Sequence, residues 1–254
     1  GLLVVGSQAT GLVEVDNGIL ATDPIRLGSS AAGTIDVRNG GIVFADGIDL
    51  GTAATGFGRL IIAGEVPLGE LGAGFASSVS NDTDHVRVGV LGKGELVVRD
   101  GGSMLIEAPA RLEVTAAGGE ALAGRGIVTV AGVGTKRSTI DARADVRIGG
   151  RGNVEVSDGG LLAVTGAALL GGGGAGVLTA TGVHGTSGHP ATVTVGGNMV
   201  VGTNVDGGDS VVSITAGGRV AIGGTLSIGG FGADDLVIVD GATGAVRVGS
   251  GGTW

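Results

Sequence analysis

The stretch HVRVGVLGKGELVVRDGG (85–102) decides the fold. Val86 and Val88 flank Arg87; Leu96 and Val98 alternate with Glu95 and Val97. An alternation of period two marks a β-strand with one buried face. Gly89, Gly92, Gly94 and the closing Gly101-Gly102 punctuate the strands where a chain must turn sharply or another backbone comes close. The same phrase returns as PIRLGSSAAGTIDVRNGG (24–41) and as DVRIGGRGNVEVSDGG (145–160). Recurrence at a fixed length is the signature of a solenoid. Three strands joined by glycine turns make one triangular rung, and stacked rungs satisfy their backbones by parallel pairing at about 4.8 Å.

The glycine that closes each apolar-x-apolar unit serves as an anchor. Anchors fall at Gly6, Gly28, Gly51, Gly89, Gly149, Gly171, Gly202, Gly229 and Gly249. The regular spacing is 20–23 residues, and the 60-residue gap between Gly89 and Gly149 is expected to hide one degenerate rung, with ARLEVT (110–115) and GIVTV (126–130) as its strands. Nine to eleven rungs are expected in a single domain spanning 1–254, with loops inserted near 69–84, 131–139 and 181–190. Composition agrees. The chain carries 58 Gly among 254 residues but only 4 Pro, which argues against collagen, and its 43% hydrophobic content argues against disorder. The apolar residues are mostly β-branched or small, and no 3.6-residue apolar period calls for a helix.

Register makes a further expectation. The outward residue two before each anchor runs Arg26, Asp49, Arg87, Glu113, Arg147, with alternating signs. In a parallel stack these would be direct neighbours, and opposite charges avoid repulsion there. On the second strand Glu14 and Asp36 would be neighbours, followed by the apolar pair Ile61 and Val97, which either lie under the 69–84 loop or mark a contact surface.

These units, VRVGVLGKGELVVRDGG, IRLGSSAAGTIDVRNGG and VRIGGRGNVEVSDGG, with the looser VVGTNVDGGDSVVSITAGG (200–218), resemble the repeat of bacterial autotransporters (type V secretion) and PEP-CTERM surface proteins. The resemblance covers most of the chain and is tighter before residue 165. It implies a right-handed parallel β-helix on a large exported protein of the bacterial surface, translocated across the outer membrane but not embedded in it. The many amphipathic strands of a translocator barrel and a C-terminal sorting helix are not found in this sequence, so it reads as a piece of a passenger. GLLVVG lacks the basic lead of a signal peptide, and no run of 18 apolar residues suggests a transmembrane helix.

Chemistry is sparse. There is no Cys, so thiolate ligands and nucleophiles are excluded. GGFGADD (229–235) matches a calcium nonapeptide once, and stacking would set Asp206 and Asp209 beside Asp234 and Asp235, the one weak calcium candidate; otherwise no cofactor or metal is expected. His184 and His189 share a loop without a third ligand nearby. A polysaccharide hydrolase needs two carboxyls facing one groove, and the absence of Tyr removes the usual sugar platforms. No catalytic residue is assigned and no enzyme is expected. A net charge of −9 disfavours nucleic acid. Residues 85–152 nevertheless hold 10 basic and 7 acidic side chains, a zone that could meet an anionic surface or the acidic ends of a neighbour. The expected role is a structural and adhesive surface rod, extracellular or on the outer-membrane surface, whose partners are other copies of itself, stacked end to end into filaments, or other surface proteins or polysaccharide. The alternative is a carbohydrate-binding or polysaccharide-degrading β-helix. GLLVVG and VRVGSGGTW show no capping segment, so either flanking rungs are missing or chains stack on one another.

Overall fold

A computed structural model describes residues 1–66, 74–117, 120–121, 124–132, 137–202, 209–229, 235–240 and 245–248. Among these the chain is strand and turn with no helix, so no helix long and apolar enough to cross a membrane occurs there. Three parallel sheets of nine strands each are threaded in turn, which defines nine rungs of a parallel β-helix. The first sheet holds Leu3–Val5, Ile25–Leu27, Ile48–Leu50, Val86–Val88, Leu112–Val114, Val146–Ile148, Ala168–Leu170, Met199–Val201 and Leu226–Ile228. The second holds Gly11–Asp16, Ala32–Arg38, Phe57–Ala63, Lys93–Arg99, Arg125–Ala131, Asn153–Ser157, Val177–Thr181, Val211–Thr215 and Leu236–Val239. The third holds Ile19–Ala21, Ile42–Ala45, Ser78–Asn81, Ser103–Ile106, Thr139–Ala142, Leu161–Val164, Thr192–Val195, Arg219–Ile222 and Ala245–Val248.

The interior is built by the alternation seen in the sequence. Ile25, Leu27, Ile35, Val37 and Val43 of rung two stand above and below their counterparts in the next rungs, all buried. Each strand therefore contributes about two aliphatic side chains to a continuous core, and burying such a side chain is worth roughly 1.5–3 kcal/mol. Aromatic rings would not suit rungs about 4.8 Å apart as well as stacked Val, Ile and Leu do.

The anchors align. Leu3↔Ile25, Ile25↔Ile48, Ile48↔Val86, Val86↔Leu112, Leu112↔Val146, Val146↔Ala168, Ala168↔Met199 and Met199↔Leu226 are register partners, so the residues three positions on form one column. That column reads Gly6, Gly28, Gly51, Gly89, Thr115, Gly149, Gly171, Gly202 and Gly229. The degenerate rung exists where it was expected, and Thr115 explains its disguise: a threonine takes the glycine's place, at φ 49°, and its hydroxyl bonds Val114 O at 2.8 Å.

Two expectations are corrected. Gly249 is not an anchor: the strand before it, Ala245–Val248, pairs with Arg219–Ile222 in the third sheet, and Gly249 itself lies outside the described residues. Third-sheet strands also end in apolar-x-apolar-Gly (VTVG at 193–196, VAIG at 220–223), so the phrase alone does not distinguish the two sheets. The segment 69–84 is not loop throughout, because Ser78–Asn81 is the third strand of rung three. Its apolar signature is broken by Asn81, which points inward between Ala45 and Ile106, fully buried, with Nδ2 donating to Asp84 O.

Candidate functional surfaces

Turns between the second and third sheets alternate between two kinds. On rungs two, four, six and eight the turn is three residues, 39–41, 100–102, 158–160 and 216–218. Each begins with a left-handed Asn39, Asp100, Asp158 or Ala216 (φ 48–52°). On rungs three, five and seven the same corner opens into 64–77, 132–138 and 182–191. All three insertions expected from the sequence thus leave one edge of the rod, two rungs apart.

The alternation has a steric cause. Each long loop lies over the short turn of a neighbouring rung. Gly40 N donates to Ser77 Oγ at 3.1 Å, and Gly101 N donates to Ser138 Oγ at 3.1 Å. A Cβ on Gly159 would sit 2.8 Å from His184 Cβ. Two long loops on consecutive rungs would claim the same space. One side chain ties this edge together: Arg137 donates to Gly159 O (2.8 Å), Gly160 O (3.3 Å) and Pro190 O (2.9 Å), reaching from the loop of rung five across the turn of rung six to the loop of rung seven. Burial pushes the Arg137 pKa down, while the three carbonyls satisfy its donors. Arg137→Ala is expected to cost about 1–2 kcal/mol. Hydrogen exchange should then speed up for the amides of 182–191 while those of the flanking strands stay protected; unchanged exchange in that loop would remove the clamp role.

Elsewhere charge is matched. The alternating row is present as read, through Arg26↔Asp49, Asp49↔Arg87, Arg87↔Glu113 and Glu113↔Arg147. Arg87 grips Asp49 with Nε to Oδ1 at 2.7 Å and Nη2 to Oδ2 at 3.0 Å, and Arg26 approaches the same carboxylate at 3.8 Å. Burial works against the Arg87 charge, but the hydrogen bonds and nearby charge of Asp49, with help from Asp84 and Glu113, outweigh it and raise its pKa. Glu14 and Asp36 are neighbours as expected. They do not face an open groove as a free pair, because both lean on Arg38, at 3.0 and 3.8 Å.

Asp16 accepts from Asn39 Nδ2 (3.0 Å) and Arg38 Nε (3.1 Å), and these bonds, the Asn39 bond foremost, hold its pKa below 3.8. A lowered pKa means stabilisation that is present above the ordinary carboxylate value and lost as pH falls through the folded midpoint. Asn39→Gly keeps the left-handed turn and should move the Asp16 midpoint up towards 3.8 in an NMR titration.

Of the calcium candidates, Asp206 and Asp234 lie outside the described residues. Asp235 Oδ1 accepts from Ser210 N at 3.0 Å, so that carboxylate caps the corner of rung eight, and Asp209 is exposed. The histidines bond locally: His184 Nδ1 accepts from Ser187 N at 3.0 Å, and His85 Nδ1 accepts from Arg111 N at 3.3 Å. Among the described residues no group of three or more His, Asp or Glu is placed to hold a metal. Ile61 and Val97 are register partners and both half-buried; of the 69–84 loop expected to cover them, residues 69–73 lie outside the described residues.

One column breaks the rule of matched charge. Phe57, Lys93 and Arg125 are register partners at the start of the second sheet on rungs three to five. Asn153 is the partner of Ile127, so Arg151 holds on rung six the position that Arg125 holds on rung five. Three like charges are therefore stacked on consecutive rungs. The signal was legible as KGE, RGI and RGN at 93–95, 125–127 and 151–153, once the rungs were aligned. No family model matches this chain, and no curated protein or solved structure matches it either. Fold and surface define a parallel β-helix whose loops on rungs three, five and seven share one edge, with a further hairpin, Ala116–Ala117 against Glu120–Ala121, at the corner before the second sheet on rung five.

Proposed function

We propose that the chain is a structural and adhesive β-helical module of a bacterial cell surface, extracellular, of the kind that passengers of autotransporters carry. The observation that supports this reading is the shared edge from which the loops of rungs three, five and seven emerge. A rod that only spans distance gains nothing from aligning its insertions, whereas a rod that displays recognition loops does. The residues of the stack supply rigidity through an aliphatic core, and no disulfide is used.

The reading includes end-to-end association. A solenoid of stacked rungs leaves strand edges unpaired at its two ends. Unpaired strand edges of this kind accept another strand. Sedimentation at several concentrations tests it: species that lengthen with concentration support stacking, and a strictly monomeric rod removes it.

For adhesion, beads coated with the chain are incubated with bacterial cells and counted. Replacing 182–191 by the Asp-Gly-Gly turn of rung six should leave the β spectrum intact, since rungs one and two already carry successive short turns, and should lower bead attachment several-fold. Attachment that is absent in the parent, or unchanged by removing the loop, defeats the adhesive reading.

A further inference from the structure

Like charges placed directly across a strand pair are destabilising, and the first sheet of this protein avoids the problem by alternating sign from Arg26 to Arg147. The second sheet does the opposite with Lys93 and Arg125, and Arg151, in the turn just before Asn153–Ser157, continues their column. Lys93 is partly compensated: its Nζ lies 2.6 Å from Glu95 Oε1 and 4.9 Å from the centre of the Phe57 ring. Arg125 and Arg151 are exposed, and neither has an ion-pair partner among the described residues. Both line one groove of about 610 Å³, which runs over rungs five to seven and has Asn153, Ala175, Val177 and Thr179 on its wall.

We propose that this column binds a linear acidic polysaccharide, one with a carboxylate on each sugar, laid along the rod axis. Guanidinium groups at equivalent places on successive rungs repeat about every 4.8 Å, which suits a polymer whose charge also repeats. A planar guanidinium can hold a carboxylate by two parallel hydrogen bonds. Val177 and Ala175 offer a small apolar floor to the C–H face of a sugar, and Thr179 and Asn153 offer hydrogen-bonding groups to its hydroxyls. Nucleic acid is the poorer occupant, because no aromatic side chain lines the groove on which a base could stack. The proposal rests on these residues and not on the cell-surface reading, so either stands if the other falls.

Calorimetric titration of the full chain with polygalacturonate at low salt tests it. The expected result is binding that weakens as salt rises, falls about tenfold in Arg125→Ala, and falls further in Arg125→Ala/Arg151→Ala. Arg219→Ala, which removes an exposed charge from the third sheet, should bind as the parent does. Fully methyl-esterified polygalacturonate should not bind. Because the substitutions relieve stacked like charge, the double variant should melt no lower than the parent without ligand, and polygalacturonate should raise the melting temperature of the parent and of Arg219→Ala more than that of the double variant. No binding of polygalacturonate, equal binding of the methyl ester, equal loss in Arg219→Ala, or binding confined to anionic lipid vesicles would each overturn the proposal.

Discussion

Gly89→Ala is expected to cost roughly 2–5 kcal/mol in urea unfolding, while Gly188→Ala costs about 1 kcal/mol and Gly185→Ala stays within about 0.5 kcal/mol. The three glycines separate two burdens. Gly185 has no atom within 4 Å of a Cβ built on it and no positive φ; Gly188 has φ 68° and equally open surroundings. Gly89 has φ 82°, and in addition a Cβ there would lie 2.5 Å from the carbonyl carbon of Arg125 and from Gly126 N, in the backbone of the next rung. Backbone at that distance cannot swing aside as a side chain would, so two rungs must separate or shift. The torsional part alone is about 1–2 kcal/mol, and forced overpacking adds about 1–3 kcal/mol. If Gly89→Ala and Gly188→Ala lose equal stability, the anchor column is a matter of torsion alone and close stacking plays no part.

Asp49→Ala is expected to lose about 2–3 kcal/mol, against under about 1 kcal/mol for Glu14→Ala. Both carboxylates pair with arginines. Asp49 is 9% exposed and is gripped by both nitrogens of the Arg87 fork, whereas the side chains of Glu14 and Arg38 are 47% and 40% exposed. Removing Asp49 leaves Arg87 half-buried with its nearest acceptor gone and Arg26 facing it across one empty place. An Asp49→Ala/Arg87→Ala double-mutant cycle should return a coupling of about 1–2 kcal/mol. A cost no larger than that of Glu14→Ala would mean that the alternating row contributes register and little energy.

Much of this molecule was legible because its two codes are strict. Alternation of Val, Leu and Ile fixed which face of each strand is buried, and the glycine after each first-sheet strand fixed where the coil turns. From those alone the column Arg26, Asp49, Arg87, Glu113, Arg147 followed, although Glu113 lies on the rung whose anchor is a threonine. The same codes failed where chemistry substitutes for pattern. Asn81 fills an inward place that the pattern reserves for an aliphatic residue, which hid Ser78–Asn81 inside an apparent loop. The late third-sheet strands Thr192–Val195 and Arg219–Ile222 carry the same apolar-x-apolar-Gly ending as the first sheet, and the same ending misplaced Gly249. What the loops do could not be read at all, since the reach of Arg137 to Gly159, Gly160 and Pro190 depends on how segments distant in sequence lie on one another.

The alternation of short and long corners gives the rod a hidden unit twice the size of its visible one. Deleting a short-cornered rung or duplicating a long-cornered one near the middle would bring two long loops onto adjacent levels, where they collide. Doing so with a pair of rungs preserves every neighbour relation. Length variants that arise by recombination among such repeats should therefore lose short-cornered rungs, and gain long-cornered ones, only in pairs, each pair changing the reach of the molecule by about 10 Å.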